Sequence, residues 1–309
     1  MSCMEKKKKE KDIRKLLEAK QSAHNYGRHY LEGVVENIKT KIHNNIIKGL
    51  KFFKEKNFNQ SEKEFKKIIE IYPSEINSNF YLGAISYERE KFEESKSYIL
   101  KVLSIDKHHK NANFMIGLIF YKTQNFKEAK LFFEKTYNKN NEDVSVLNYF
   151  CLSLIKLKEF KQAETLLLKG ININPNFFNS YKSLGFLYLI TGRTDECIYY
   201  FLKALKLNSN NSFLYANLGT AYLRKSDLVN GKKIFEDGLK KFPNNSMIIN
   251  AYSYLQLSNC EIGKGFESYE KRKIVNNYKL SFTKKTKEWN GENLDGKTLL
   301  ILSEQGMGD

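Results

Sequence analysis

"MIGLIFYKTQNFKEAKLFF", residues 115–133, places Gly117 and Ala129 twelve positions apart and Phe133 four positions further on. The same spacing returns along the whole chain. Gly49, Gly83, Gly117, Gly185 and Gly219 are separated by 34, 34, 68 and 34 residues, and Cys151 occupies the skipped slot. Twelve residues after each slot comes another small residue: Ser61, Ser95, Ala129, Ala163, Cys197 and Gly231. Four beyond these stand Phe65, Ile99, Phe133, Leu167, Phe201 and Phe235. The chain's three prolines, Pro73, Pro175 and Pro243, each follow the large apolar position by eight residues.

A 34-residue period with these slots has a mechanical meaning. Two helices of about a dozen residues joined by short turns fill one period, and small residues at positions 8 and 20 let the two backbones approach closely. The large residue at position 24 fills the space beside them. Proline at position 32 cannot continue a helix, so it closes the second one before the next pair begins. In this register the repeats start at residues 42, 76, 110, 144, 178, 212 and 246 and run to 279, the last with Ser253 at the glycine slot and Gly265 and Tyr269 retained. Gly27, Leu31 and Val34 fall on the phase of a degenerate leading repeat, so residues 1–41 read as a basic segment and a capping helix, with 1–10 frayed.

The stretches "YLGAISYEREKFEESKSYI", "MIGLIFYKTQNFKEAKLFF", "SLGFLYLITGRTDECIYYF" and "NLGTAYLRKSDLVNGKKIF" resemble the tetratricopeptide (TPR) repeat. The resemblance implies an all-α, right-handed solenoid of six to seven helix pairs. It also implies a concave groove for protein or peptide partners, lined by the first helix of each repeat at positions 2, 5, 9, 12 and 13. In this chain those slots hold Asn77, Phe80, Tyr87, Asn111, Phe114, Leu118, Tyr121 and Lys122. Adaptor TPRs that clamp a terminal carboxylate pair Lys and Asn at positions 5 and 9, whereas repeat 2 has Phe80 and Ala84, and repeat 5 has Lys182 and Phe186; the clamp is absent. Of the Asn ladder that precedes "LG" in the TPR arrays of O-linked N-acetylglucosamine transferases, only Asn217 is present.

Composition limits the remaining classes. The 309 residues are 41% hydrophobic and 14% aromatic, enough for a sizeable core, and the net charge is +17. Residues 1–41 contribute +5 and residues 280–309 contribute −1, leaving +13 spread over the array. A dispersed charge without a base-reading motif is not a nucleic-acid footprint, and joint Lys, Asn and Ile enrichment is what an A/T-rich coding sequence yields. No signal-like apolar region follows the basic start, and no apolar run reaches the roughly 18 residues of a membrane span. Four scattered cysteines without a CxxC predict neither disulfides nor a metal site, and the chain reads as cytoplasmic. Cys151 and Cys197 sit in the small-residue slots and are expected in the core.

After residue 279 the helical period stops. "TLLIL" is a short β-capable run and "SEQGMGD" puts Gly306 and Gly308 directly after it, as where a buried parallel strand turns into a helix. Tyr269, Glu270, Arg272, Trp289, Gly291, Leu294, Gly296, Lys297, Leu299, Leu300, Glu304, Gln305, Gly306, Gly308 and Asp309 are similar to the junction of bacterial TPR proteins fused to a GT-B-type glycosyltransferase domain; the proline common before the Trp is missing. This resemblance implies that residues 280–309 are a linker and the first strand of a truncated α/β domain. It implies a nucleotide sugar as donor substrate and an acceptor recruited by the TPR region. Asp309 would be the general base in the complete enzyme, and the chain alone is expected to carry no cofactor and no catalysis. The alternative is a non-enzymatic TPR scaffold.

Overall fold

The computed structural model describes residues 28–139 and 143–275, together with Asp295. The strand expected at 298–302, the turn glycines Gly306 and Gly308, and Asp309 lie outside the described residues.

Among the described residues there are fourteen α-helices and no strand. They are α1 (Arg28–Lys54), α2 (Phe58–Ile71), α3 (Ile76–Glu88), α4 (Phe92–Ile105), α5 (Lys110–Lys122), α6 (Phe126–Lys139), α7 (Val144–Lys156), α8 (Phe160–Ile173), α9 (Phe178–Ile190), α10 (Thr194–Leu207), α11 (Ser212–Arg224), α12 (Leu228–Lys241), α13 (Ser246–Ser258) and α14 (Ile262–Val275). From Ile76 onward the first helix of a pair begins every 34 residues. The helices fall into two compact units, Met1–Gly192 and Arg193–Asp309, described separately below.

Within the first unit the helix pairs pack through the small slots. A Cβ on Gly49 would stand 2.8 Å from Cζ of Phe65, and one on Gly117 would stand 2.7 Å from Cε1 of Phe133. Serine fits the partner slot because its hydroxyl has an acceptor there: Ser61 Oγ donates to the Gly49 carbonyl at 2.9 Å, and Ser95 Oγ to the Gly83 carbonyl at 2.7 Å. Phe65, Ile99, Phe133, Ala129, Cys151 and Ala163 are fully buried. Successive pairs share apolar clusters, such as Ile99 and Val102 with Ala112, Ile116 and Ile119. Ion pairs join one repeat to the next, Arg89 to Glu62 and Lys130 to Glu159 at 2.6 Å among them.

Two local devices set the turns. Position 15 of every repeat has a left-handed backbone: Lys56, Glu90, Gln124, Lys158, Ser226 and Cys260 lie at φ 56–63°, and Gly192 at 77°. The bonds Glu90 N–H to Tyr87 O and Lys91 N–H to Ser86 O, both 2.9 Å, satisfy the last carbonyls of α3 in the manner of a helix C-cap. At the opposite end, buried Asn79 donates from Nδ2 to the carbonyls of Pro73 and Glu75 at 2.8 Å, and Asn113 does the same to Lys107 and His109. These amides tie the connection between pairs to the helix that follows.

α1 departs from the sequence expectation of a capping helix ending near residue 41. It runs unbroken from Arg28 to Lys54. No Gly or Pro occurs between Gly33 and Gly49, so nothing in the chain stops the helix there.

The second unit repeats the scheme. Phe235 is fully buried against Gly219, where a Cβ would meet its ring at 2.4 Å, and it packs on Tyr252 at 5.5 Å. Tyr215, Ala216, Ile248 and Leu255 complete the cluster. Cys197 is fully buried, and burial pushes its thiol pKa up to about 12.

Candidate functional site

The first helices of two successive pairs, α3 and α5, carry most of the residues that the sequence places in a groove, and α7 is the first helix of the next pair. Each of the three begins with a side-chain cap. Glu75 accepts from the Asn77 amide at 3.1 Å, His109 Nδ1 accepts from Ala112 N–H at 3.1 Å, and Asp143 accepts from Ser145 and Val146. Capping at a fixed point of each period keeps the helices in register, so equivalent positions line up from pair to pair.

An aromatic cluster results. Phe114 meets Tyr149 edge-on at 5.7 Å and Phe133 at the same separation, while Tyr149 stacks on Phe133 at 5.8 Å. Tyr121 stands edge-on to Tyr149 at 6.2 Å and to Phe126 at 5.4 Å. Tyr87 packs edge-on against Phe92 at 5.7 Å. Burial pushes the Tyr87 phenol up to about 12, with further contributions from Tyr149 and Glu88, and burial followed by Tyr149 raises the Tyr121 phenol as well. Tyr121 and Tyr149 thus meet between α5 and α7, while Tyr87 sits on the adjacent α3 against Phe92. Among the described residues none of the three hydroxyls has a hydrogen-bond partner, and none is sealed from solvent. The rings are held by apolar packing while their hydroxyls stay available as donors and acceptors.

The other expected residues divide. Leu118 is half-buried on α5, next to the cluster in sequence, and Lys122 and Asn111 are exposed on the same helix. Asn77 is exposed, and its side-chain amide donates to Glu75 Oε1 at 3.2 Å, so it is partly spent on the cap. Phe80 lies apart from the tyrosines, against Tyr81 at 5.4 Å and His109 at 5.6 Å. Asn217 belongs to the second unit and donates to the Phe213 carbonyl of its own helix at 2.8 Å. The groove positions therefore do not act as one set.

Tyr149 is the residue that sequence reasoning missed. It stands at position 6 of its repeat, outside the slots conventionally assigned to a groove, and only the aromatic neighbours it meets reveal it. Lys156 was missed as well. Its ammonium lies 5.9 Å from the Phe126 ring, which in turn abuts Tyr121. On α9, Lys182 is half-buried with its ammonium 5.4 Å from the Phe178 ring, and burial lowers its pKa. Behind the cluster, the Ser183 hydroxyl donates to buried Asn148 Oδ1 at 2.8 Å and locks α7 to α9. No group of three His, Cys, Asp or Glu side chains among the described residues is arranged to hold a metal ion.

Comparison with known proteins agrees with this architecture. Residues 89–170 match the family model described as anaphase-promoting complex, cyclosome, subunit 3, and residues 166–199 match a tetratricopeptide repeat model. No curated protein matches the chain. A tetratricopeptide repeat protein from Parabacteroides merdae is similar in structure, with a TM-score of 0.65 at 15% identity over 79% of this chain and 95% of that one. PilW, a type IV pilus biogenesis factor, gives 0.62 at 13% identity over 67% and 96%. Pseudomonas aeruginosa pilF gives 0.56 at 18% identity over 66% and 92%. At such identities the structural likeness establishes the fold alone. The family-model matches, which together span residues 89–199, agree with a TPR-like helical-repeat fold. Among the described residues no helix is long and apolar enough to cross a membrane.

Proposed function

We propose that the face formed by α3, α5 and α7 receives a peptide segment of a protein partner. The observation that carries this reading is the ring cluster of Phe114, Tyr121 and Tyr149, with Tyr87 on the adjacent α3, apolar in its packing and open at its hydroxyls. Tyrosines of this kind offer large contact area at low entropic cost and suit a recognition surface better than a sealed core. The test is binding of peptides selected on the full chain, followed by Leu118→Asp, which places a charge among the rings. Loss of binding with an unchanged unfolding midpoint supports the site, and undiminished binding refutes it.

The similarity of residues 269–309 to a glycosyltransferase junction supports a finer reading, in which the array recruits the acceptor for a nucleotide-sugar-dependent transferase and Asp309 is its base. A scaffold that binds partners without catalysis fits the array equally well. Protein purified from its native cells and offered a panel of nucleotide sugars separates the two. Release of nucleoside diphosphate that is abolished by Asp309→Asn favours the transferase; no release from any donor favours the scaffold.

A further inference from the structure

Two side chains on α1 lack the surroundings that the same repeat positions have further along the first unit. Position 4 of the first three repeats is asparagine. Asn79 donates from Nδ2 to the carbonyls of Pro73 and Glu75, six and four residues back, and Asn113 donates in the same way to Lys107 and His109. Asn45 is buried like them, at 8% exposure, yet its Nδ2 has no partner. The carbonyls six and four residues back from Asn45 are those of Lys39 and Lys41, which lie inside straight α1 instead of in a turn. Position 6 shows a second deficit. Tyr81 and Tyr149 are half-buried because the large residue at position 24 of the preceding pair stacks on them, Phe65 on Tyr81 at 5.2 Å and Phe133 on Tyr149 at 5.8 Å. Ile47 holds this position in the first pair and is 52% exposed. A buried donor without an acceptor and an uncovered isoleucine both cost free energy.

One rearrangement satisfies both. In the phase of the repeat Leu31 stands at position 24, and Lys39 at position 32, where Pro73, Pro175 and Pro243 follow the second helices of later pairs. We infer that α1 has a second arrangement, broken at residues 39–41, in which residues 28–38 fold back as the second helix of a leading pair and seat Leu31 on Ile47. The break turns the Lys39 and Lys41 carbonyls toward Asn45 Nδ2, as in the two repeats that follow. Straight, α1 keeps its full ladder of backbone bonds; broken, it gives up part of that ladder for the amide contacts and the apolar seat. Neither Gly nor Pro at 39–41 decides between the two. The arm is a latch that covers the N-terminal face of the array when closed and exposes Ile47 when open.

Spin labels on Glu32→Cys and Lys51→Cys test the inference in the full chain with Cys3→Ser and Cys260→Ser, since Cys151 and Cys197 are buried. The labelled backbone positions stand about 28 Å apart along a straight α1 and about 10 Å apart across a packed helix pair. The electron–electron distance distribution should contain a narrow short component, alone or beside the long one. Lys39→Pro, which forbids the straight helix, should leave only the short component without lowering the unfolding midpoint. Asn45→Ala should reduce the ratio of short to long about fivefold or more, through loss of the amide contacts, and Leu31→Asp should remove the short component. A long component alone, a broad spread with no short peak, a short peak indifferent to Asn45→Ala and Leu31→Asp, or a lowered midpoint in Lys39→Pro overturns the inference.

Discussion

Replacing Phe133 tests how the small slot, the core and the recognition face are coupled. Phe133 is fully buried, supports Phe114 at 5.7 Å and Tyr149 at 5.8 Å, and fills the space that a Cβ on Gly117 would enter at 2.7 Å. Phe133→Ala removes a whole buried ring, and such truncations cost about 3–5 kcal/mol. That is a large part of the 5–15 kcal/mol typical of a domain. Gly117→Ala alone sets opposing effects against each other: helix propensity favours alanine by about 1 kcal/mol, while overpacking against the ring costs about 1–3 kcal/mol. The net should be a destabilisation of up to about 2 kcal/mol. In a Phe133→Leu background the obstructing ring carbons are gone, so the same substitution should become neutral or stabilising by about 1 kcal/mol. Urea unfolding of the wild-type chain, Phe133→Ala, Gly117→Ala, Phe133→Leu and the Gly117→Ala/Phe133→Leu double variant, followed by far-ultraviolet circular dichroism and by tyrosine fluorescence, measures the coupling. Strictly additive effects, or a Phe133→Ala cost below about 1 kcal/mol, would refute the packing described here.

Further outcomes follow from the turns, the phenols and the thiols. Lys158→Gly should raise stability by about 1 kcal/mol, because it relieves a left-handed residue at φ 63°, and Gly192→Ala should lower it by a similar amount; unfolding midpoints decide both. The Tyr87 phenol, raised to about 12 in the folded chain by burial, keeps its proton after the unfolded chain begins to lose its own near the ordinary tyrosine value of 10.0. The contribution of neutral Tyr87 to stability is therefore complete below that lower value and lost as pH rises through the interval. Tyr87→Phe should flatten this part of the stability curve, and an unchanged alkaline slope would show that burial at Tyr87 is not responsible. Burial raises the Cys151 and Cys197 thiols well above the usual range, while Cys260 is exposed. Iodoacetamide should modify Cys260 in the native chain and reach Cys151 and Cys197 only after unfolding, as read by peptide mass spectrometry.

What the sequence made legible is what repeats in residue type. Gly49, Gly83, Gly117 and Gly219 each face a large side chain that leaves no room for a Cβ, so small residues recur at one spacing and announce the helix pairs. The left-handed turn recurs just as regularly in the backbone but is silent in the sequence, because only Gly192 marks it with glycine while Lys, Glu, Gln, Ser and Cys occupy the other sites. Asn79 and Asn113 fasten the turns in only some repeats, and nothing in their local sequence separates them from exposed asparagines. At the candidate site, Phe114 and Tyr121 were readable from the first-helix positions. Tyr149 was not, since its membership depends on which rings meet across three helices.

The most direct test of the recognition face is fluorine NMR of the full chain labelled with fluorotyrosine, titrated with a peptide selected on the full chain. The resonances of Tyr87, Tyr121 and Tyr149, each assigned by its Tyr→Phe variant, should shift together and saturate at one peptide per chain. Tyr98 on α4 and Tyr199 on α10 lie on second helices and should stay in place. Shifts confined to Tyr98 or Tyr199, with the three clustered tyrosines unmoved, would contradict the account.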